Sequence, residues 1–333
     1  MTITRSTDSG ISQRTNVYAE REMLKHAGPV TVLEKFGVPK RMPKNKSTTI
    51  KFRRPKVFTA KTTPLVEGVT PTATQFEYED VSATLRQYGE VVVTTDVIED
   101  THEDPVLNDM VKQAGENIGR TTEALMWAVL KGGTNVFYAN GTDRTHVNTP
   151  ISLASQRAVT RALKAQKAMK HTSMLTGSPN YETKPIEAAY IAVAHTDLEN
   201  DIRGMPGFTP TVEYGSRSMI CPEEIGSVDD VRYVLSPDLN PVLAGGSATL
   251  NGMVSAGSAN VDIYPVLYFG KEAYGNVALR GQGAVSPSII PVGVKSKDDP
   301  LAQRGYVGWK TWFVCLILNQ LWMARLEVAV TDL

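Results

Sequence analysis

The chain has 333 residues, 41% of them hydrophobic and 21% charged, with 35 basic and 35 acidic side chains. This length can build a sizeable core in one large domain or two small ones, and the composition excludes a largely disordered protein. The neutral total hides an asymmetry: residues 1–61 carry fourteen Lys/Arg against four Asp/Glu, and the other 272 residues carry 21 against 31. Net charges of +10 and −10 on two parts of one chain favour pairing between copies.

The first 45 residues are polar and basic, with one short helical candidate at Tyr18–His26 and several breaking residues, namely Gly28, Pro29, Gly37, Pro39 and Pro43. Residues 1–45 therefore indicate an extended N-terminal arm. We expect this arm to become ordered along a neighbouring subunit, because it has too little apolar surface to bury itself on its own domain. The first residues lack the apolar stretch of a signal peptide, which favours a cytoplasmic protein.

A long loop between two strands is predicted next. Residues 48–61 alternate apolar and basic side chains, and Pro55 interrupts the run, which is typical of an edge strand. The segment Thr84–Thr95 is rich in β-branched residues and indicates a second strand. Turn-forming residues punctuate the stretch between them, at Pro64, Gly68 and Pro71.

Charge separates this loop from the strand before it. Ten Asp/Glu lie between Thr62 and Asp104 against the single base Arg86. This acidic stretch is either a solvated face or a contact with basic segments of adjacent subunits. The candidate inter-subunit contacts are Lys51, Arg53, Arg54, Lys56, Glu67, Glu77, Glu79 and Asp80. The basic members could also meet the phosphates of DNA without sequence preference.

The strongest helix signal runs from Asp104 to Lys131. Asp104 suits an N-cap and Pro105 suits the first helical position, while Gly132 and Gly133 supply a stop. Apolar residues recur mostly at three- and four-residue steps in between. A helix of this length, roughly 40 Å, is more typical of a structural spine than of a catalytic pocket.

The second half of the chain mixes helices and strands. A second helix is predicted at Leu153–Met169, and Pro185–Asp201 indicates a buried strand followed by a short helix. Residues 244–260 are rich in Gly, Ser and Ala, a composition typical of a mobile loop. Two β-rich pieces, residues 261–270 and Tyr306–Val330, complete the chain. The apolar segment Thr311–Ala324 is too short to cross ~30 Å of hydrocarbon as a helix, so it indicates strands or core.

Signatures of catalysis are missing from the sequence. It contains no GxGxxG after a strand, no Walker loop, no GxSxG and no HExxH, and Cys221 and Cys315 lie outside any CxxC spacing. The nearest metal-like group is His195, Asp197 and Asp201, for which helix capping and surface charge are the favoured interpretation. The turn at 281–283 does not indicate a nucleotide site. We therefore predict no catalytic residue, metal or cofactor, with a metal-dependent hydrolase at this group as the alternative.

The ordered series of segments resembles the Johnson fold of tailed-phage major capsid proteins. The likeness covers nearly the whole chain and is carried by the phrases TIKFRRPKVF, TPLVEGVTP, TLRQYGEVVVTTDVIEDTHEDPVL, AAYIAVAHTDLENDIR, VEYGSRSMICPEEIGSVDDVRYV and YVGWKTWFVCLILNQLWMARLEV. The resemblance implies an α+β fold with an N-terminal arm, an extended β-loop, a spine helix, a peripheral domain and an axial domain.

The resemblance also implies an organisation along the chain. Residues 1–45 would be the arm and 46–103 the extended loop with its flanking strands. Residues 104–184 would be the spine helix and peripheral helices, 185–307 the axial domain, and 308–333 a β-segment returning to the peripheral domain. The loop would reach over the neighbouring subunit, and residues 244–260 would lie near the shell's symmetry axes or on its outer face.

The expected function is a shell subunit that forms pentamers and hexamers in an icosahedral head around double-stranded DNA, with no membrane contact. The short N-terminal region implies a separate scaffolding protein, alongside a portal and, as an option, a cementing protein. The protein would be assembled in the host bacterial cytoplasm and reside in the virion. An encapsulin-type compartment, which shares the fold but encloses protein, is the alternative shell, and a basic nucleic-acid binder is a third possibility.

Overall fold

The structure, a computed structural model, describes residues 31–43, 47–101, 106–175, 183–215, 217–257, 259–279, 285–295 and 299–333. Within these ranges the α-helices are α1 (Asp96–Thr101), α2 (Val106–Leu130), α3 (Leu153–Ala165) and α4 (Glu199–Arg203). The strands, in chain order, are β1 (Val38–Met42), β2 (Thr49–Pro55), β3 (Tyr78–Thr84), β4 (Arg86–Thr95), β5 (Val136–Tyr138), β6 (His171–Leu175), β7 (Thr183–Ala194), β8 (Thr209–Pro210), β9 (Glu224–Val228), β10 (Val231–Leu235), β11 (Tyr264–Phe269), β12 (Tyr274–Leu279), β13 (Val285–Ile290), β14 (Arg304–Ile317) and β15 (Met323–Val328). The expected α+β class is confirmed.

The strands form two sheets and a separate hairpin. One sheet has five strands in the order β1-β12-β14-β13, with β4 also paired to β14. The other has eight strands in the order β5-β15-β11-β7-β10-β9-β8, with β6 paired to β7. The hairpin consists of β2 and β3 alone. The chain crosses from the five-stranded to the eight-stranded sheet between β4 and β5, returns between β11 and β12, and crosses again through the turn between β14 and β15.

The spine helix α2 packs in two hydrophobic clusters, one at each half of the helix. Its first half buries Val111, Ala114 and Ile118 against the five-stranded sheet, where Trp309 donates a 3.1 Å hydrogen bond from Nε1 to Asn117 Oδ1. Its second half buries Met126, Trp127 and Leu130 in a core shared with the eight-stranded sheet. The predicted helix Asp104–Lys131 is confirmed over Val106–Leu130, whereas its predicted cap at Asp104 and Pro105 lies outside the described residues.

The eight-stranded sheet buries a polar network beneath α3. Gln156 of α3 is fully buried and donates to the Val228 carbonyl at 2.9 Å, while its Oε1 accepts from Tyr233 Oη at 2.9 Å. Ser152 caps the N-terminus of α3. The helix ends at Ala165, four residues before the predicted Met169, since Lys167 adopts a φ of 54° and turns the chain out of the helix.

The C-terminal part of the predicted arm packs on its own chain. Val32, Leu33, Phe36 and Met42 are all buried, and β1 pairs in parallel with β12. For residues 31–43 the expectation that the arm cannot bury itself on its own domain was therefore wrong. Residues 1–30, with the predicted helix Tyr18–His26, lie outside the described part of the chain.

The predicted loop between two strands is present, but the strand that follows it and pairs with β2 is β3 and not the predicted strand Thr84–Thr95. β2 pairs antiparallel with β3, and residues 56–77 connect them. The predicted strand Thr84–Thr95 corresponds to β4, but β4 pairs with β14 and not with the hairpin. Leu85, between β3 and β4, is buried, which fixes the point where the hairpin leaves the body.

The sheets do not follow the predicted segment boundaries. Strands β12 and β13 belong to the predicted axial segment 185–307 but lie in the five-stranded sheet beside the spine helix. The terminal strand β15 lies in the eight-stranded sheet, next to β11 of that same segment. The division into peripheral and axial domains stays a prediction, and its boundaries do not coincide with sheet boundaries.

Two further segments have definite structures. The Gly/Ser-rich loop is tied down by the buried Asp262, whose carboxylate accepts the backbone N–H of Ala244 at 2.7 Å and of Ala256 at 2.8 Å. The apolar segment Thr311–Ala324 forms the end of β14, a short turn and the start of β15, as expected of strands. Among the described residues, no helix combines the length and apolar character that a membrane crossing requires.

Candidate inter-subunit interface

The β2–β3 hairpin carries a ladder of ion pairs across its two strands. Arg53 Nε lies 2.8 Å from Asp80 Oδ1, and Arg54 Nη2 lies 2.7 Å from Glu79 Oε2. Just beyond the strands, Lys56 Nζ lies 2.6 Å from Glu77 Oε2. Six of the eight predicted contact residues therefore pair with one another in a single chain, since the antiparallel register sets them opposite each other.

The pairs Arg53–Asp80 and Lys56–Glu77 shift the pKa values of their members without contributing much stability. The hydrogen bond from Arg53 lowers the pKa of Asp80, and the hydrogen bond from Lys56 lowers the pKa of Glu77. All four side chains are exposed to water, which screens such attractions. The ladder therefore adds little to the stability of the fold.

Two predicted contact residues remain outside the ladder. Lys51 lies opposite Ser82 in β3, and Glu67 lies at the far end of the connecting loop. Neither forms an ion pair within the part of the chain that the structure describes. A contact of any of the eight residues with another copy stays a prediction. Lys51 and Glu67 are the two whose charges remain available for such a contact.

The loop at the end of the hairpin is apolar and exposed. Leu65, Val66 and Val69 are 78%, 67% and 62% exposed, and Val57 and Phe58 are exposed as well. Aromatic rings meet at its base, where Phe76 contacts Tyr78 edge to face at 4.7 Å and Phe58 at 6.0 Å between centroids. The sequence contains a signal for this feature, because residues 57–76 have only Lys61 and Glu67 as charged residues, but the count of acids over the longer stretch to Asp104 concealed it. An exposed apolar patch of this kind marks an interaction surface.

Comparison with known proteins identifies the family of this chain. A family model described as phage capsid protein matches residues 78–325, which is more than half of the chain. The chain belongs to the phage capsid protein family. It is a major capsid protein, a subunit of a phage head shell, and its place is the virion. No curated protein sequence matches this capsid protein.

Solved capsid structures share the fold of this capsid protein at low sequence identity. The capsid of Ralstonia phage GP4 matches with a TM-score of 0.65 at 12% identity, over 91% of this chain and 92% of that chain. The head structure of Helicobacter pylori bacteriophage KHP40 gives 0.58 at 12% identity, over 91% and 90%. The cyanophage Pam1 capsid gives 0.57 at 14% identity, over 92% of each chain. The predicted capsid fold is thereby confirmed.

The metal-like group of this capsid protein has structural partners. Asp197 Oδ2 accepts a 2.9 Å hydrogen bond from Tyr264 Oη, and the Asp197 backbone N–H donates to His195 Nδ1 at 3.2 Å. Asp201 accepts from the backbone N–H and the hydroxyl of Thr331, at 3.0 and 2.7 Å. Across the described ranges, no three His, Cys, Asp or Glu side chains come together as a metal site. Asp201 thus anchors the C-terminal segment.

Proposed function

We propose that copies of this chain form pentamers and hexamers that close into an icosahedral head around double-stranded DNA. The observation that carries the proposal is the hairpin, which projects an exposed apolar loop on a stalk that pairs Arg53 with Asp80 and Arg54 with Glu79 within the chain. Apolar side chains so far from their own core gain burial only on another molecule. In a shell of identical subunits, that molecule is the neighbouring copy.

Such contacts suit shell assembly because each is weak and many form together. The loop has no regular secondary structure, so part of the free energy of its burial is offset by the entropy lost on ordering. A closed shell repeats the contact in every subunit, and multivalency makes the whole stable while single contacts remain reversible. Reversibility lets wrongly placed subunits leave during assembly.

The roles of the chain's parts and partners belong to the same proposal. Residues 1–45 would act as an arm between subunits, and 185–307 would supply the axial domain around five- and six-fold positions. A portal and a separate scaffolding protein would direct assembly in the host bacterial cytoplasm, with a cementing protein as an optional addition. The chain itself would be structural and not enzymatic.

The experiment compares the intact chain with a variant in which residues 57–76 are replaced by Asn-Gly. The dipeptide suits a tight hairpin turn and leaves the paired strands intact. Both proteins are produced together with the phage's scaffolding protein, then analysed by particle sizing and negative-stain imaging. We expect closed particles from the intact chain, and small oligomers with unchanged circular dichroism from the shortened one.

Three results would contradict the proposal. If the intact chain stays a compact monomer at high concentration in the presence of scaffolding protein, it does not form a shell. Particles from infected cells that protect a protein cargo and no nuclease-resistant DNA would identify an encapsulin-type compartment instead. Steep salt dependence of DNA binding by a monomer or dimer would identify a nucleic-acid binder.

A further inference from the structure

Residues 32–36, which we call the N-terminal latch, contact both the spine helix and the eight-stranded sheet. Val32, Leu33 and Phe36 are buried in the core cluster that the helix and the sheet share. The latch belongs to no strand, so it can separate from the body without breaking the strand pairing of either sheet. Local opening of such a short segment requires less free energy than unfolding of the whole domain.

Glu123 holds the latch from the spine helix. Its carboxyl group accepts the backbone N–H groups of Val32 at 3.2 Å and of Leu33 at 3.1 Å, and the side chain is completely buried. Burial raises the pKa of Glu123 to about 7 against the effect of these two bonds, and the neighbouring acids Asp238 and Glu34 raise it further. While the latch is closed, Glu123 is therefore uncharged below neutral pH.

His171 holds the latch from the eight-stranded sheet. Its ring centroid lies 6.4 Å from that of Phe36 and 6.0 Å from that of Phe269, with both pairs edge to face. Its Nε2 atom is buried and has no hydrogen-bond partner among the described residues. Burial lowers the pKa of His171 to about 4, while a backbone hydrogen bond with Gly270 opposes this shift and the charge of Lys271 adds to it. While the latch is closed, His171 is therefore uncharged above about pH 4.

The other titratable groups around the latch behave differently. The Tyr274 hydroxyl donates to the Leu33 carbonyl at 2.6 Å, and burial raises its pKa well above 10. Burial also raises the pKa of the Cys315 thiol in the same core cluster to about 12. Lys35 Nζ lies 2.8 Å from Glu223 Oε2, and although burial acts against it, this hydrogen bond lowers the pKa of Glu223. Glu123 and His171 are therefore the two buried groups at the latch that gain charge on opening in mildly acidic solution.

We propose that the latch opens locally and is compensated against pH, because it is closed only while Glu123 and His171 are both uncharged. Opening exposes both groups to water, where their usual pKa values are 4.5 and 6.5. Between these pH values Glu123 therefore releases one proton on opening and His171 takes one up. The number of bound protons stays the same, so the equilibrium between closed and open latch does not change with pH in this range.

The compensation keeps one attachment point constant. Residues 1–30 and Thr31 precede the latch in the chain, so the closed latch fixes where the first part of the predicted arm is attached. A latch held by Glu123 alone would loosen as pH rises toward 7, and a latch held by His171 alone would loosen as pH falls toward 4. With both groups the attachment is equally firm throughout. Its value to a particle that meets different surroundings rests on the proposed shell function, whereas the latch itself does not.

The test is hydrogen exchange of the full-length, unassembled subunit, followed by mass spectrometry on peptides that cover residues 31–37. The quantity compared is the protection factor, the ratio of the intrinsic exchange rate at each pH to the measured rate. In the original chain it should stay constant within about twofold from pH 4.5 to 6.5. In Glu123→Gln it should rise roughly fortyfold over this range, and in His171→Gln it should fall roughly fortyfold. The double variant should again be constant.

Two controls accompany these variants. His171→Phe keeps an aromatic ring against Phe36 and should give the same slope as His171→Gln, which covers a loss of folding in the latter. His146→Gln, at an exposed position, should leave the constant protection of the original chain unchanged. Constant protection in both single variants would overturn the compensation. Latch peptides that exchange no faster than those of β15 would overturn local opening. Both results are independent of shell assembly.

Discussion

Glu123 of the spine helix binds the backbone of Leu33, ninety residues earlier in the chain. The Glu123 carboxylate accepts N–H groups from Val32 at 3.2 Å and from Leu33 at 3.1 Å, and the side chain is completely buried. Burial raises the pKa of Glu123 to about 7 against the opposing effect of these two bonds, and the nearby carboxylates Asp238 and Glu34 raise it further. One buried acid thus fixes the place where the N-terminal segment joins the body.

Removal of this acceptor should weaken the fold. Glu123→Ala leaves two buried N–H groups without partners and should lower the free energy of unfolding by about 2–4 kcal/mol. Glu123→Gln keeps one acceptor oxygen and should lower the free energy of unfolding by less. Urea unfolding of the unassembled subunit measures both. The control is Glu116→Ala on the same helix, where the side chain is partly exposed. A loss for Glu123→Ala no larger than that of the control would contradict the assignment.

Glu123 should also make stability depend on pH. Its pKa of about 7 in the folded protein exceeds the usual 4.5, so the unfolded chain releases this proton first as pH rises. The free energy of unfolding should therefore fall between about pH 4.5 and 7, by roughly 3 kcal/mol for a shift of this size. Glu123→Gln has no such proton to lose. The difference between the original chain and this variant, followed by urea unfolding from pH 5 to 8, isolates the effect, and a constant difference would refute it.

His171 should act in the opposite direction. It is buried between Phe36 and Phe269, and desolvation lowers its pKa to about 4. The unfolded chain therefore binds a proton first as pH falls, so stability should be lost between about pH 6.5 and 4, by roughly 3 kcal/mol. His171→Gln should abolish this loss, while His146→Gln, at an exposed position, should leave it in place. If the His171→Gln variant loses as much free energy of unfolding between about pH 6.5 and 4 as the original chain, this assignment is contradicted.

The sequence predicted the spine helix well because its apolar residues recur at helical spacing over six turns and need no distant partner to be recognised. The buried N-terminal segment was missed for the opposite reason. Its few apolar residues gain their positions from distant groups, such as the Tyr274 hydroxyl, which donates to the Leu33 carbonyl at 2.6 Å across 241 residues. Asn276 likewise donates to the Glu34 carbonyl. Contacts at such separation leave no periodic signal in the sequence.

The ion-pair ladder could have been recognised from the sequence. The three pairs are separated by 27, 25 and 21 residues, a nested order that antiparallel pairing around one loop produces. Grouped by charge alone, the same residues are candidates for contacts between copies. Charge alone does not distinguish a partner strand of the same chain from a strand of another, whereas the nested order favours the same chain.

Charge exchange at Arg53 and Asp80 tests whether these residues pair within one chain or between copies. A chain with Arg53→Asp or Asp80→Arg has like charges facing each other across the hairpin and should assemble more slowly. If the pair forms within one chain, as its 2.8 Å contact indicates, the double exchange on a single chain should restore assembly. An equimolar mixture of the two single variants should then stay slow, because each hairpin still contains its own repulsion. Light scattering during assembly measures all four samples. Recovery in the mixture, without recovery in the double exchange, would show that the residues pair between subunits instead.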